Sequence, residues 1–505
     1  MYWLALHLPR LSLEAFCAAA GVAAHDPQAP PLALVAGPGA VVADANATAA
    51  RRGVRAGQRR ATALALAAAL RFGAADAARD AQALAAVAHA ALAFTPAVTL
   101  EGGHTVLLEV HSTLRLFGGP ARLLQRLRQA VTPLGHRVRV AAAPTALGAA
   151  LLARWRDDLA QGPHVHDLGA LRTLLDAVPV TLLGPGREHG EALQGMGLVS
   201  LADLRALPRS GLARRFGEAL LDELDRARGD RPDPRAWVEG PTVFDTRVEL
   251  AWRADTAEQV LHAADVLLAR LVAWAQGRHA RVAAFTLRMG HEPRHRDDAQ
   301  QAHTELAIAL AEPSADAAHL RLLLREHLAR TTLAAPALEL GLHCRDVVAG
   351  TPPSGELFPS RQGEREGLVR LLERLRARLG DARVQGLEPV ADHRPERATR
   401  TTAAVADRAP AGTPATAPLL RRPLWLWPEA TPLPERGGTP WLDGAPLQLL
   451  AGPERLETGW WNGAPALRDY FVAQAGDGAL VWIYRARLPA AEPHAQGWFL
   501  HGRFG

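Results

Sequence analysis

His7, Glu109 and His111 are the side chains whose types and placement first invite a chemical reading. His7 falls on a short apolar strand predicted over Trp3–Leu8, and Glu109 and His111 lie at the end of one predicted over Thr105–Val110. Imidazoles from two strands are ligands that a transition metal accepts. A two-metal centre for phosphoryl chemistry instead needs clustered carboxylates, because hard divalent cations take oxygen. Glu109 is a single acid, and alternation along a strand turns it to the face opposite Val110. One acid does not make a two-metal site. Two histidines without a metal role are the simpler reading, so neither metal nor cofactor is expected.

A second chemistry is phosphate binding. Gly184 and Gly186, in Leu182-Leu183-Gly184-Pro185-Gly186, sit between two predicted helices. That is the pattern of a helix-hairpin-helix, whose glycine turn offers backbone N–H groups to a DNA phosphate; a plain helical hairpin with glycine caps fits the spacing as well. Arg205, Arg209, Arg214 and Arg215 follow. Further on, Arg247, Arg253, Arg278, Arg281 and Arg288, with Arg294, His295 and Arg296, would line a sheet able to track a duplex backbone.

The elements that position these residues fall into modules. Residues 1–170 mix strands and helices, including a hairpin through Gly102-Gly103 and helices over Ala77–Phe94, Pro120–Val131 and Ala146–Arg156. Residues 171–238 read as helical. Residues 239–350 read β-α-β-β-α-β, a split-βαβ arrangement. Residues 351–387 hold a loop with Leu357-Phe358 and a charged helix over Glu364–Leu379; residues 388–422, rich in Ala, Pro, Thr and Arg, read as a flexible linker. Residues 423–505 form a small β-rich module with Trp460-Trp461, for which core packing is the safer default.

The 505 residues are enough for about three or four domains, and 48% hydrophobic with 22% charged residues excludes disorder throughout. All 57 basic residues are arginine, set against 52 acidic ones. Lysine chemistry is thereby excluded, whereas arginine forks onto phosphate oxygens. Two cysteines, Cys17 and Cys344, are too few for a disulfide framework or a cysteine zinc site. Neither a signal peptide nor a membrane span is expected, which suggests a cytoplasmic chain.

This order of modules resembles the Y-family, or lesion-bypass, DNA polymerases over about residues 1–345. The best local signatures are Val41-Val42-Ala43 through Gly53-Val54-Arg55-Ala56-Gly57, and the stretch from Leu182 to Gly229. Within that family the noncatalytic branch found in bacterial mutasomes is the closest in look. Leu114-Arg115-Leu116-Phe117-Gly118-Gly119, the run from Gly452 to Trp461, and Arg468-Asp469-Tyr470-Phe471 carry that likeness over nearly the whole chain. The resemblance implies an α+β multidomain fold: palm and fingers, helix-hairpin-helix thumb, split-βαβ little finger and a small β-rich C-terminal module. It puts His7 where active members carry an Asp, and Val110 and His111 where they carry an Asp-Glu pair. Ala47, Ala50 and Ala146 stand where triphosphate-binding Tyr, Arg and Lys residues are expected; Arg51, Arg52 and Arg55 remain close by. Leu357 and Phe358 match the anchor of a clamp-binding peptide, with Ser354 and Gly355 in place of its Gln and first Leu. The implied role is a noncatalytic homologue that binds DNA and the sliding clamp. It would recruit a C-family error-prone DNA polymerase and a RecA-like accessory protein through the region of Trp460-Trp461, for translesion synthesis and damage-induced mutagenesis. The alternative is an active lesion-bypass polymerase whose unusual metal site uses Glu109 with His7 or His111.

Overall fold

The computed structural model describes residues 1–37, 39–292, 302–350, 361–404, 422–487 and 497–504. They form two units, Met1–Pro359 and Ser360–Gly505.

The first unit opens with β1 (Trp3–His7) and α1 (Leu11–Ala19). A small lobe follows: β2 (Leu32–Ala36), β3 (Val41–Ala45), α2 (Ala47–Arg51), α3 (Arg60–Leu66) and β4 (Arg71–Ala74). Its strands order β3-β2-β4 around Ala33, Val42, Ala49 and Val54. The chain returns through α4 (Ala77–Leu92) to β5 (Val98–Glu101) and β6 (Thr105–Glu109), then α5 (Pro120–Val131), β7 (Arg139–Ala143) and α6 (Ala146–Trp155). These strands order β5-β6-β1-β7. The β5–β6 turn needs two consecutive left-handed residues, supplied by Gly102 (φ +60°) and Gly103 (φ +73°).

Central β1 is buried on both faces, which is why it reads as an unbroken apolar run. Leu4, Leu6 and Leu8 enter one core with residues of α4 and α5. Trp3 and Ala5 enter another with α6 and the helices that follow. His7, two residues beyond Ala5, shares that second face.

Those helices are α7 (Leu168–Asp176), α8 (Gly184–Glu188), α9 (Gly190–Gly195), α10 (Leu201–Arg205), α11 (Arg209–Phe216) and α12 (Glu218–Arg228). A tether then runs along the sheet edge: the Val238 amide donates to the Val98 carbonyl (2.7 Å), and Trp237 stacks on Trp3 with ring centres 6.1 Å apart. It leads to β8 (Phe244–Ala254), α13 (Ala257–Gly277), β9 (Ala280–His291), β10 (His303–Ser314), α14 (Ala317–Leu328), β11 (Ala337–Cys344) and β12 (Val347–Ala349). The sheet orders β10-β9-β11-β8, with β12 on β9. Ala273 of α13 is part of the core formed by β1 and α4, and the Trp274 indole N–H donates to the Pro241 carbonyl (2.9 Å).

The second unit begins with α15 (Arg361–Leu379) and a hairpin of β13 (Gln385–Pro389) with β14 (Thr399–Ala403). This corrects the linker expectation over 388–404, where composition hid a paired strand; 405–421 lie outside the described residues. Next come β15 (Trp425–Leu433), β16 (Glu435–Arg436), β17 (Thr439–Leu442), β18 (Ala445–Pro446), β19 (Gln448–Thr458), β20 (Ala466–Gln474), β21 (Leu480–Ala486) and β22 (Gly497–Arg503). Five of them form an antiparallel sheet, β15-β22-β21-β20-β19, packed on Ile483, Trp482 and Tyr470. The fold is thus α+β and multidomain, with a β-rich C-terminal region. No described helix is long and apolar enough to cross a membrane.

Candidate functional site at the end of the central strand

Strand register decides which side chains meet. β1 and β6 pair antiparallel, with His7 opposite Thr105 and Trp3 opposite Glu109. The His7 ring nitrogen Nδ1 and the Thr105 hydroxyl lie 3.0 Å apart. Glu109 is therefore four residue pairs from His7, roughly 13 Å at ~3.3 Å per residue. Val110 and His111, matched by resemblance to the Asp-Glu pair of active members, therefore do not lie beside His7. Val110 is fully buried in the core of α4 and α5. His111 is exposed, and both its amide and that of Tyr2 donate to Glu109 Oε1 (3.2 Å each). The ligand set of Glu109 with His7 is split between two ends of the strand. Glu109 and His111 instead face a separate cleft of about 740 Å³ that includes Trp3 and Trp237.

His7 lies in a cleft of about 460 Å³ between the sheet end and the helices. Around it stand Glu101, His104, Arg154, Arg187, Glu223, Arg226 and Arg235. Each carboxylate is already engaged. Glu101 takes Arg154 at 3.2 Å on one oxygen and Arg235 on the other. Glu223 accepts the Gly184 amide at 3.0 and 3.2 Å. Burial raises the Glu223 pKa against that hydrogen bond. Burial first, then the charges of Arg154 and Arg139, lower His7 to about 4, so its imidazole is neutral at physiological pH. Among the described residues, no three His, Cys, Asp or Glu side chains group closely enough to hold a metal ion.

The glycines are not an open turn. Gly184 and Gly186 both lie within α8, and the Gly184 N–H is occupied by Glu223. A Cβ on Gly186 would lie 2.1 Å from the Val180 carbonyl oxygen, so this glycine exists to let two backbones touch. Arg214 and Arg215, in the last turn of α11, are exposed and make no ion pair among the described residues, whereas Arg209 is held by Asp225 (2.6 Å) and Arg205 by Asp176 (2.6 Å).

The split-βαβ sheet also differs from expectation. Arg247 and Arg288 flank Gly341 in one cross-strand row. Glu305 stands opposite Arg288, and Glu249 stands opposite Glu339 in the next row. With Asp245, four exposed carboxylates share the surface with two arginines, so it is a mixed face and not an arginine-lined one. Arg253 pairs with Asp255 (3.3 Å) and the Arg278 guanidinium donates to the Pro241 carbonyl (3.1 Å). Residues 294–296 lie outside the described residues. So do Leu357 and Phe358.

The triphosphate positions follow the local fold. Ala47 and Ala50 are half-buried on α2, whose N-cap is Asn46, and Ala146 is buried at the start of α6. Arg51 and Arg55 hold backbone carbonyls, of Pro27 (2.8 Å) and Ala50 (2.7 Å). In the second unit Trp460 and Trp461 are 77% and 56% exposed, edge to face at 5.5 Å, which corrects the core default. Arg394, held by Asp392 (2.6 Å), donates to the Ala464 carbonyl (3.0 Å) and fixes the loop that presents them. Sequence reasoning missed Arg154, Arg187, Arg226 and Arg235, which come from well-separated segments; only the arginine richness of the helices hinted at them.

Residues 11–154 match the impB/mucB/samB family. Protein ImuB of Caulobacter vibrioides (strain NA1000 / CB15N) is 29% identical over 478 residues, covering 89% of this chain and 99% of that protein. Protein ImuB of Caulobacter vibrioides strain ATCC 19089 / CIP 103742 / CB 15 aligns with the same figures. Among solved structures, a Dbh ternary complex is 15% identical with a TM-score of 0.38, covering 69% of this chain and 99% of that one. DinB from Sulfolobus solfataricus is 16% identical with a TM-score of 0.37, covering 70% and 100%.

Proposed function

We propose that this homologue of Protein ImuB, which carries an impB/mucB/samB-family domain in a Y-family polymerase fold, acts in damage tolerance as a noncatalytic assembly factor. The observation that carries the reading is the register of β1 on β6. It sets His7 opposite Thr105 under Arg154, where two-metal chemistry would need converging carboxylates. An arginine-rich floor repels divalent cations, and the two carboxylates within reach, Glu101 and Glu223, are already occupied.

Primer extension with Mg²⁺ or Mn²⁺, beside a competent Y-family control, tests this. The expected result is no extension by a protein that still binds primer-template. Extension abolished by Glu101→Ala or Glu223→Ala would overturn the reading and make the cleft an atypical metal site.

The rest of the reading is DNA binding through the thumb, with Arg214 and Arg215 on the phosphate backbone. Docking of Leu357-Phe358 on the sliding clamp would bring the chain to stalled forks. Trp460 and Trp461 would engage the RecA-like ImuA protein and a C-family error-prone DNA polymerase. The exposure of that aromatic pair supports a contact surface. Each arginine that neutralises a phosphate adds about one unit to the salt slope of binding. Arg214→Ala with Arg215→Ala is therefore expected to lower the slope by about 2. Arg247→Ala, among carboxylates, should change it by less. Affinity measured across a salt series checks both, and an unchanged slope in the double variant removes α11 from the interface.

A further inference from the structure

A third cleft, of about 220 Å³, opens where the ends of α4, α5 and α13 meet the start of β9 and the residue after β12. Among the described residues it shares none of its lining with the cleft at His7 or the one at Glu109. Its floor is apolar: Phe94 and Phe117 tilt against each other with ring centres 5.1 Å apart, beside Ala130 and Ala280. Its charged lining has one sign. Arg126 and Arg281 line it, and among the described residues no carboxylate does. Arg126 lies 5.9 Å over the Phe117 ring and makes no ion pair among the described residues. Arg281 makes none either, and its Nε is buried without a hydrogen-bond partner. Gly350 keeps that fork uncrowded: a Cβ there would lie 2.8 Å from Nε and 2.9 Å from Nη2.

We propose that this cleft binds a small amphipathic monocarboxylate, an acid whose phenyl ring or short alkyl chain lies on the two phenylalanines while its carboxylate meets Arg126 and Arg281. A cavity of about 150 Å³ encloses benzene, and clefts for drug-sized ligands start at about 300 Å³. The volume here falls between them and takes a body of phenyl size. A guanidinium fork matches a carboxylate in shape and makes charge-assisted hydrogen bonds with it. A buried donor without an acceptor is costly, and a carboxylate gives Arg281 the acceptor it lacks. The apolar floor disfavours a small, strongly hydrated anion, because nothing there replaces its lost water. The proposal goes beyond the assembly-factor reading and does not rest on it: acid binding and primer extension can each fail alone.

The test is a ligand-observed NMR titration of the full chain with phenylbutyrate. Saturable binding with a Kd of about 1 mM or tighter is expected, in keeping with the affinity per atom that small ligands reach. Phenylbutanol has the body without the charge, and acetate and inorganic phosphate have charge without the body; each should bind at least tenfold more weakly. Arg126→Met with Arg281→Met keeps side-chain length and removes charge, and should weaken phenylbutyrate more than tenfold. Ala130→Leu fills the cleft while leaving both guanidinium groups, and should weaken it as much. Arg128→Met, exposed on the same helix outside the cleft, should leave the affinity unchanged. No saturable binding, full affinity in either the double variant or Ala130→Leu, or equally tight binding of phenylbutanol, acetate or phosphate overturns the proposal. Equal weakening by Arg128→Met also overturns it, by marking general attraction to an arginine-rich surface.

Discussion

Replacing Gly186 by alanine is expected to loosen the helical thumb by about 2–3 kcal/mol, the upper range for forcing atoms into a packed site. The cause is one contact. The added methyl would stand 2.1 Å from the Val180 carbonyl oxygen and 3.0 Å from its carbon, and both are backbone, which cannot swing aside as a side chain can. Leu183 and Val180 around it are buried in the core shared with α6 and α12, so relief requires moving α8 as a body. Gly184→Ala is the matched comparison. Its methyl meets only the end of the Glu223 side chain, at 3.3 Å, and should cost a few tenths of a kcal/mol. Hydrogen exchange read peptide by peptide over residues 168–228 reports the difference as local opening free energy. Exchange there should rise by one to two orders of magnitude in Gly186→Ala and barely move in Gly184→Ala. Equal protection in both variants would mean that close backbone approach is not the reason for Gly186.

The second large effect is acid sensitivity of the C-terminal sheet through His501. This imidazole is 1% exposed, with Nδ1 2.8 Å from the Tyr470 hydroxyl. The Arg468 guanidinium donates to Tyr470 (3.0 Å) and to both Glu396 oxygens (3.0 and 3.1 Å). Burial is the leading cause that lowers His501 to about 4; Arg468 adds to it and Glu396 opposes. The unfolded chain, with a histidine near 6.5, takes up a proton first as pH falls, so folding loses stability from about pH 6.5 down to pH 4. At pH 5 the loss relative to neutral is about 2 kcal/mol, or roughly thirtyfold in the exchange of slow amides in β20 and β22. His501→Gln should flatten this dependence between pH 5 and 7, whatever it does to stability at neutral pH. His7, also held near 4, acts in the other unit, so peptide resolution separates the two. An acid response in β20–β22 that survives His501→Gln would assign it to another group.

Much of this fold was legible from pattern. Apolar strand runs, the Gly102-Gly103 turn and the β-α-β-β-α-β order all reappear within a few residues of where alternation and turn chemistry placed them. Register was not legible. The resemblance matched Val110 and His111 to the Asp-Glu pair of active members, whereas the two-glycine turn pins Thr105 opposite His7 and carries every later residue away from it. The arginines of the cleft were invisible for a related reason: Arg154, Arg187, Arg226 and Arg235 converge only after α6, α8, α12 and the tether have packed. Gly186 was noticed for its type, but its packing role was not legible, because a glycine that lets backbones touch and one that bares an amide look alike in sequence. Composition misled over 388–404, where a hairpin containing Pro389 and Gly386 pairs normally.

The tether between thumb and split-βαβ sheet is stitched to β5 by the Val238 amide, stacked on Trp3 through Trp237 and ion-paired to Glu101 through Arg235. Beyond it, α13 contributes Ala273 to the central core. A linker pinned at so many points has surrendered its conformational entropy before any ligand arrives. In the DNA-binding role proposed above, a duplex spanning both modules would meet preorganised jaws: little ordering cost would be left to oppose association, and steric mismatch in the duplex would have no loose tether to absorb it.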